Sequence, residues 1–151
     1  MTQSAAEPVA QVSKTIDAPA DKVWETLTST DPAEKFFMGA TVDSDFQVGS
    51  PITFKGDYEG KSFEDKGQIL EARPQRRLSF SHFSASSGQP ETPDNYHTVT
   101  FELQPEGDAT RVTLTQANLT GGISAADRLH KAQYEKNWSG VLEGLSKAVG
   151  H

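Results

Sequence analysis

The 151-residue chain contains no cysteine. That excludes disulfides, thiolate metal sites and thiol nucleophiles, and it fits a cytoplasmic protein. Positive charge is also scarce: 14 Lys and Arg stand against 21 Asp and Glu, for a formal net charge of −7. A nucleic-acid partner needs a basic face for its phosphates, and an anionic membrane surface needs the same, so neither is expected. There is no apolar run of about 18 residues, hence no membrane-spanning helix. The Gly-x-Ser-x-Gly elbow, the Walker loop and the dinucleotide fingerprint are all missing, and the four histidines show no metal-ligand spacing. The sequence therefore names no catalytic residue, no metal ligand and no cofactor, and it contains no internal repeat.

What is present is a pattern of short alternating stretches closed by one long helical one. From Asp127 to Val149, Tyr134, Trp138, Val141, Leu142, Leu145 and Val149 recur at three- and four-residue steps. That spacing predicts one apolar stripe on a helix ~34 Å long at about 1.5 Å per residue. Ser124 or Asp127 can cap its start and Gly150 its end. Upstream, residues 1–8 read as a loose tail without the basic start and apolar stretch of a secretory signal, and residues 9–151 as a single domain. Val9–Ile16 reads as a strand. Lys22–Thr28 reads as a short helix with Val23, Trp24 and Leu27 on one face. A second short helix follows, ending at Phe36, Phe37 and Met38. Strand signals then recur at Thr41–Phe46, Ile52–Phe54, Phe63–Arg73, Leu78–Phe83, His97–Leu103 and Arg111–Gln116. Ser84–Asn95 has two prolines and no large apolar residue, so it reads as a long loop. Six or seven strands joined by short turns predict an antiparallel sheet, apolar on one face and covered there by the long helix: an α+β domain.

Alternation also places polar residues on the apolar face. His82 is in phase with Leu78 and Phe80, His97 with Val99 and Phe101, and Gln116 with Val112 and Leu114. The plain reading of each is a hydrogen-bonded core residue, as core packing is the plain reading of Trp24 and Trp138. The functional reading is a mostly apolar pocket with a few convergent polar groups, the usual form of a small-molecule site. Its expected lining is Phe37, Phe54, Phe80, His82, His97, Val99, Phe101, Leu114, Gln116, Tyr134 and Trp138. Arg73, Arg76 and Arg77 cluster at a turn and read as solvated.

The order of these elements resembles the START-like, or SRPBCC, helix-grip superfamily, and most nearly the branch named for activators of the heat-shock-protein-90 ATPase. Four stretches carry the resemblance: Ile16–Thr28 (IDAPADKVWETLT), Asp45–Gly49 (DFQVG), Gly67–Phe80 (GQILEARPQRRLSF) and Trp138–Leu145 (WSGVLEGL). The chain departs from the branch near Phe36 and Phe37, where a tryptophan is usual, and at His82, where an aromatic residue is common. The resemblance implies a helix-grip fold: a curved antiparallel sheet around a long C-terminal helix, with two short helices after the first strand and a cavity between. Its members include ligand binders, cyclases and co-chaperone domains, so fold alone does not choose an activity. The residues favour non-catalytic binding of a small hydrophobic or aromatic ligand. A cyclase- or hydrolase-like enzyme would use His82 or His97 as acid/base, aided by Gln116 or Tyr134. A chaperone-associated domain would use an exposed face instead. Two kinds of protein partner are left open, a second copy and a chaperone.

Overall fold

The computed structural model describes residues 8–29, 41–58, 60–84, 90, 92, 95–120 and 122–149. The expected second short helix, Phe37 with it, lies outside these residues, as do the tail before Pro8 and most of the Ser84–Asn95 loop. The elements run β1 (Pro8–Ile16), α1 (Ala20–Leu27), β2 (Thr41–Asp43), β3 (Pro51–Tyr58), β4 (Lys61–Arg73), β5 (Arg77–Ser84), β6 (His97–Glu106), β7 (Ala109–Asn118) and α2 (Ala125–Val149). The strands form one curved antiparallel sheet of seven, ordered β1-β7-β6-β5-β4-β3-β2. Six of them follow one another as a meander, and β1 closes onto β7, from Val12 opposite Leu114 to Ile16 opposite Thr110.

Local chemistry sets the reversals. Gly107 at φ 65° opens the two-residue turn between β6 and β7, so the ladder runs to Glu106 opposite Ala109 and through Pro105. β6 thus runs to Glu106, past the strand signal that ends at Leu103. A glycine first in a two-residue hairpin loop matches the twist of the strands it joins. Between β4 and β5, Arg76 N–H donates to Arg73 O at 2.9 Å, Pro74 holds the second position and Gln75 the third at φ 65°. Pro19 precedes α1 with extended backbone, and Thr28 ends it by donating both its amide and its hydroxyl to Trp24 O.

α2 lies across the inner face of the sheet as expected. Trp138, Val141, Leu142 and Leu145 are buried, and Tyr134 and Val149 pack partly against the same core. They share one buried cluster with Ile16, Val23 and Leu27 and with Ile52, Ile69, Leu78, Phe101 and Val112 of the sheet. On the flank of α2, Lys14 of β1 pairs with Glu143 at 2.8 Å, and the Gln11 amide donates to Glu135. Edge strand β1 is therefore held by the helix as well as by β7. Upstream of Trp138 the helix is far less embedded, and Leu129 is 78% exposed.

The outer face is not wholly polar. Phe83 is out of phase with Leu78 and Phe80, yet only 4% exposed, because the ring of Tyr96 stacks on it at 5.2 Å. An apolar side chain on the solvent face must find a local cover, and here the residue before β6 supplies it.

Strands β4 and β5 meet unusually closely at Gly67. A Cβ there would sit 1.7 Å from the backbone oxygen of Ser81, and the Ser81 hydroxyl takes over the ladder by accepting from Gln68 N–H at 2.9 Å. No side chain fits without parting the two strands. Gly67→Ala is expected to destabilise the fold by ~2–4 kcal/mol, in the range of severe core strain, measured by urea unfolding. A change within about 0.5 kcal/mol, the usual size for a surface site, would show that the strands separate freely there.

Candidate ligand site

Four strands and the start of α2 bring polar side chains together at one end of an otherwise apolar inner face. His82 lies opposite His97 across β5 and β6, and His97 lies opposite Asn118 across β6 and β7. Asn118 donates to Asp127 Oδ2 at 2.8 Å, linking the row to the first turn of α2. On the other side Asp65 of β4 accepts from His82 Nε2 at 3.1 Å. Asp65 sits opposite Phe54, which fixes it on the inner face, and the side chain missing at Gly67 lies between it and Ile69. Both members of the pair are buried, at 7% exposure for Asp65 and 9% for His82.

Each terminus of the row is built by local rules. Ser124 Oγ accepts from Asp127 N–H at 3.0 Å, and Asp127 Oδ2 accepts from Ser124 N–H at 2.9 Å. This is a reciprocal capping box, with aspartate at the third position. Both residues expected as alternative caps act together. A deeper rung of the same site lies one step into the sheet. Gln116, opposite Val99 and 4% exposed, accepts from the Trp138 indole at 2.7 Å.

Aromatic rings line the space beside the polar row. Phe54 meets the His82 ring edge-on at 5.4 Å and Phe80 at 5.5 Å, and Phe80 reaches Phe101 at 6.4 Å. Leu114 faces Phe101 across β6 and β7. Tyr134 stands one helical turn before Trp138, half-buried, beside the exposed ring of His130. The structure thus gathers ten of the eleven expected lining residues on one face, the eleventh, Phe37, being outside the described residues. Three residues of the row escaped the sequence reading: Asp65, Asn118 and the inward role of Asp127. Asn118 is in phase with Gln116, so the same alternation would have found it.

The electrostatics follow from this packing. Burial holds the His97 imidazole below its ordinary 6.5, the neighbouring His82 lowers it further, and Asp127 partly opposes both. Burial alone would raise the Asp127 carboxyl; the amide and hydroxyl of Ser124, the Asn118 amide and His97 outweigh it and leave it low. Burial and the Asp127 charge both raise the Tyr134 phenol. Among the described residues no group of three acidic or histidine side chains could hold a metal ion. Two recesses, of about 290 Å³ around Ser81 and Tyr96 and about 770 Å³ around Arg73, Arg76 and Arg77, share no lining residue with this cluster. Glu71 pairs with Arg73 and Arg77, and Glu102 with Arg77, as a solvated turn would have it.

A long helix gripped by a curved antiparallel sheet, with buried polar groups set into an aromatic inner face, is the START-like helix-grip fold. Within that class the chain belongs to the activator of Hsp90 ATPase homolog 1-like family, whose profile matches residues 17–150. Among solved structures, ChR145 from Cytophaga hutchinsonii is 40% identical over 95% of this chain and 94% of its own, with a TM-score of 0.73. Mll3558 from Rhizobium loti is 25% identical over 91% and 94%, with a TM-score of 0.69. NE0264 from Nitrosomonas europaea, at 21% identity over 93% and 92% and a TM-score of 0.71, shares the fold. No curated protein matches the sequence. Among the described residues no helix is long and apolar enough to cross a membrane.

Two outcomes are expected of the site itself. Trp138→Ala should cost ~3–5 kcal/mol, as large core truncations do. Trp138→Phe should cost ~1–3 kcal/mol, chiefly by leaving Gln116 Oε1 without its donor, so adding Gln116→Leu should recover part of that loss in chemical denaturation. An unchanged midpoint for Trp138→Ala would mean that the helix packs by another face. The second outcome concerns pH. His97 has a folded value below its unfolded 6.5, so the folded state binds fewer protons between the two. Its contribution is complete above about 6.5 and is lost as pH falls from there through the folded value. The midpoint of thermal unfolding should therefore fall between pH 7.5 and 5.5, and His97→Gln should flatten that slope. An equal slope in the variant would place the titration elsewhere.

Proposed function

We propose that this protein binds a small apolar or aromatic molecule between α2 and the inner face of the sheet, without transforming it. The observation that carries this reading is the row of polar groups, buried Asp65 and His82 with half-buried His97 and Asn118, set among Phe54, Phe80 and Phe101. A core that serves stability alone gains little from such groups, since each needs a partner to offset its loss of water. A ligand site gains orientation from them. The pairings in place, His82 with Asp65 and Gln116 with Trp138, hold those groups still and favour recognition over proton transfer to a substrate. The family's name favours a second reading, in which an exposed face engages a chaperone ATPase. That reading places no demand on the interior.

The test uses Trp138 as reporter. The chain has two tryptophans, so Trp24→Phe leaves Trp138 as the single indole. Titration with the neutral probe N-phenyl-1-naphthylamine is expected to quench Trp138 by energy transfer, with saturation at one equivalent and reversal by small aromatic competitors. Absence of any saturable change up to the probe's solubility would sink the binding reading and promote the chaperone one.

A further inference from the structure

One oxygen of the polar row has no partner. Asp65 gives Oδ2 to His82 at 3.1 Å, while Oδ1, also buried, meets no donor among the described residues. We infer that the bound molecule is an aromatic carrying a hydroxyl group, and that this hydroxyl donates to Asp65 Oδ1. The inference rests on the binding reading above and names the class of ligand it would take.

The chemistry narrows the class from several sides. A carboxylate oxygen is an acceptor only, so its partner must bring a donor. Left empty of one in a low-dielectric interior, it is among the costlier polar groups to bury. A ligand carboxylate would set like charges against each other, and an ether or ketone would offer a second acceptor to the first. An ammonium brings three donors, yet only one unpartnered acceptor oxygen is found among the buried side chains of the described residues. A single hydroxyl satisfies the site one to one. The remainder of the ligand is set by what surrounds Asp65. Phe54 stands directly opposite it, edge-on to His82, and Phe80 follows, so a flat ring finds ring faces and edges on either side. His82 holds the carboxylate from its far side through Nε2, which fixes the direction in which Oδ1 points.

The selectivity of such a site is that of a difference in partners. An analogue that lacks the donor leaves Oδ1 unpaired and is rejected far more strongly than its loss of one atom suggests.

Three probes that share a naphthalene ring test this by calorimetry: 2-naphthol, 2-methoxynaphthalene and 2-naphthoate. On the parent protein, naphthol should bind about tenfold or more tighter than the methyl ether, a difference of about 1.4 kcal/mol, with naphthoate weakest. Asp65→Asn keeps an acceptor for His82 but presents an amide donor where Oδ1 stood. In that variant the preference for naphthol should vanish and the ether and carboxylate should gain. Should Asp65→Asn fail to fold, the ranking on the parent decides alone. Equal binding of all three probes to the parent, with a water serving Oδ1, would overturn the hydroxyl inference and leave ligand binding intact. Failure of all three, together with an unresponsive Trp138, would remove the binding reading itself.

Discussion

The hydrogen bond from the Trp138 indole to Gln116 joins the middle of α2 to the floor of the sheet at 2.7 Å, and it divides the molecule in two. Downstream of it, Val141, Leu142 and Leu145 close against Ile16, Val23 and Leu27, and the helix is embedded as any core helix is. Upstream, the helix fully buries only Asp127, and it meets the sheet through hydrogen bonds, from the Asn118 amide to Asp127 and from the Gln11 amide to Glu135. Apolar packing is thus concentrated in the C-terminal half of the helix, and the indole stands at its border.

The division explains why the architecture was legible in the sequence and the site only partly so. Strand alternation and helical spacing are local properties, and they located α2, α1 and the strands to within a few residues. They also turned His82, His97 and Gln116 inward, because each shares a phase with obvious core residues. Asp65 was hidden by its neighbours. Glu64, Lys66 and Gln68 beside it are exposed, and the stretch reads as solvated. Its burial follows from facing Phe54 and from its bond to His82, both of which are set by register between neighbouring strands. The pairings themselves are likewise invisible to periodicity. Whether an inward histidine meets a carboxylate or a ligand depends on what another strand brings to the same level.

Membership of the activator family and the likeness to ChR145 speak to the scaffold. They leave the selectivity of the interior to the individual residues, as is usual for a fold that carries many functions. In this chain those residues make an uneven set. Histidine and glutamine are already paired with protein, and one carboxylate oxygen is held rigid by its neighbour and left unserved.

The closure of β1 onto β7 has a kinetic side. Val12 pairs with Leu114, and β1 is also the strand that carries Lys14 to Glu143 on α2. Neither partner exists when β1 leaves the ribosome. At ~5–20 residues per second, the wait for β7 is roughly 5–20 s. During it the strand's amides and the apolar residues Val9, Val12 and Ile16 are without their final cover. The β2–β7 meander can assemble in chain order, whereas the sheet's last edge and the helix above it must arrive together. Closure of β1 therefore waits on the last third of the domain, and a nascent chain stalled before Ala109 leaves an unpaired strand open to association with another.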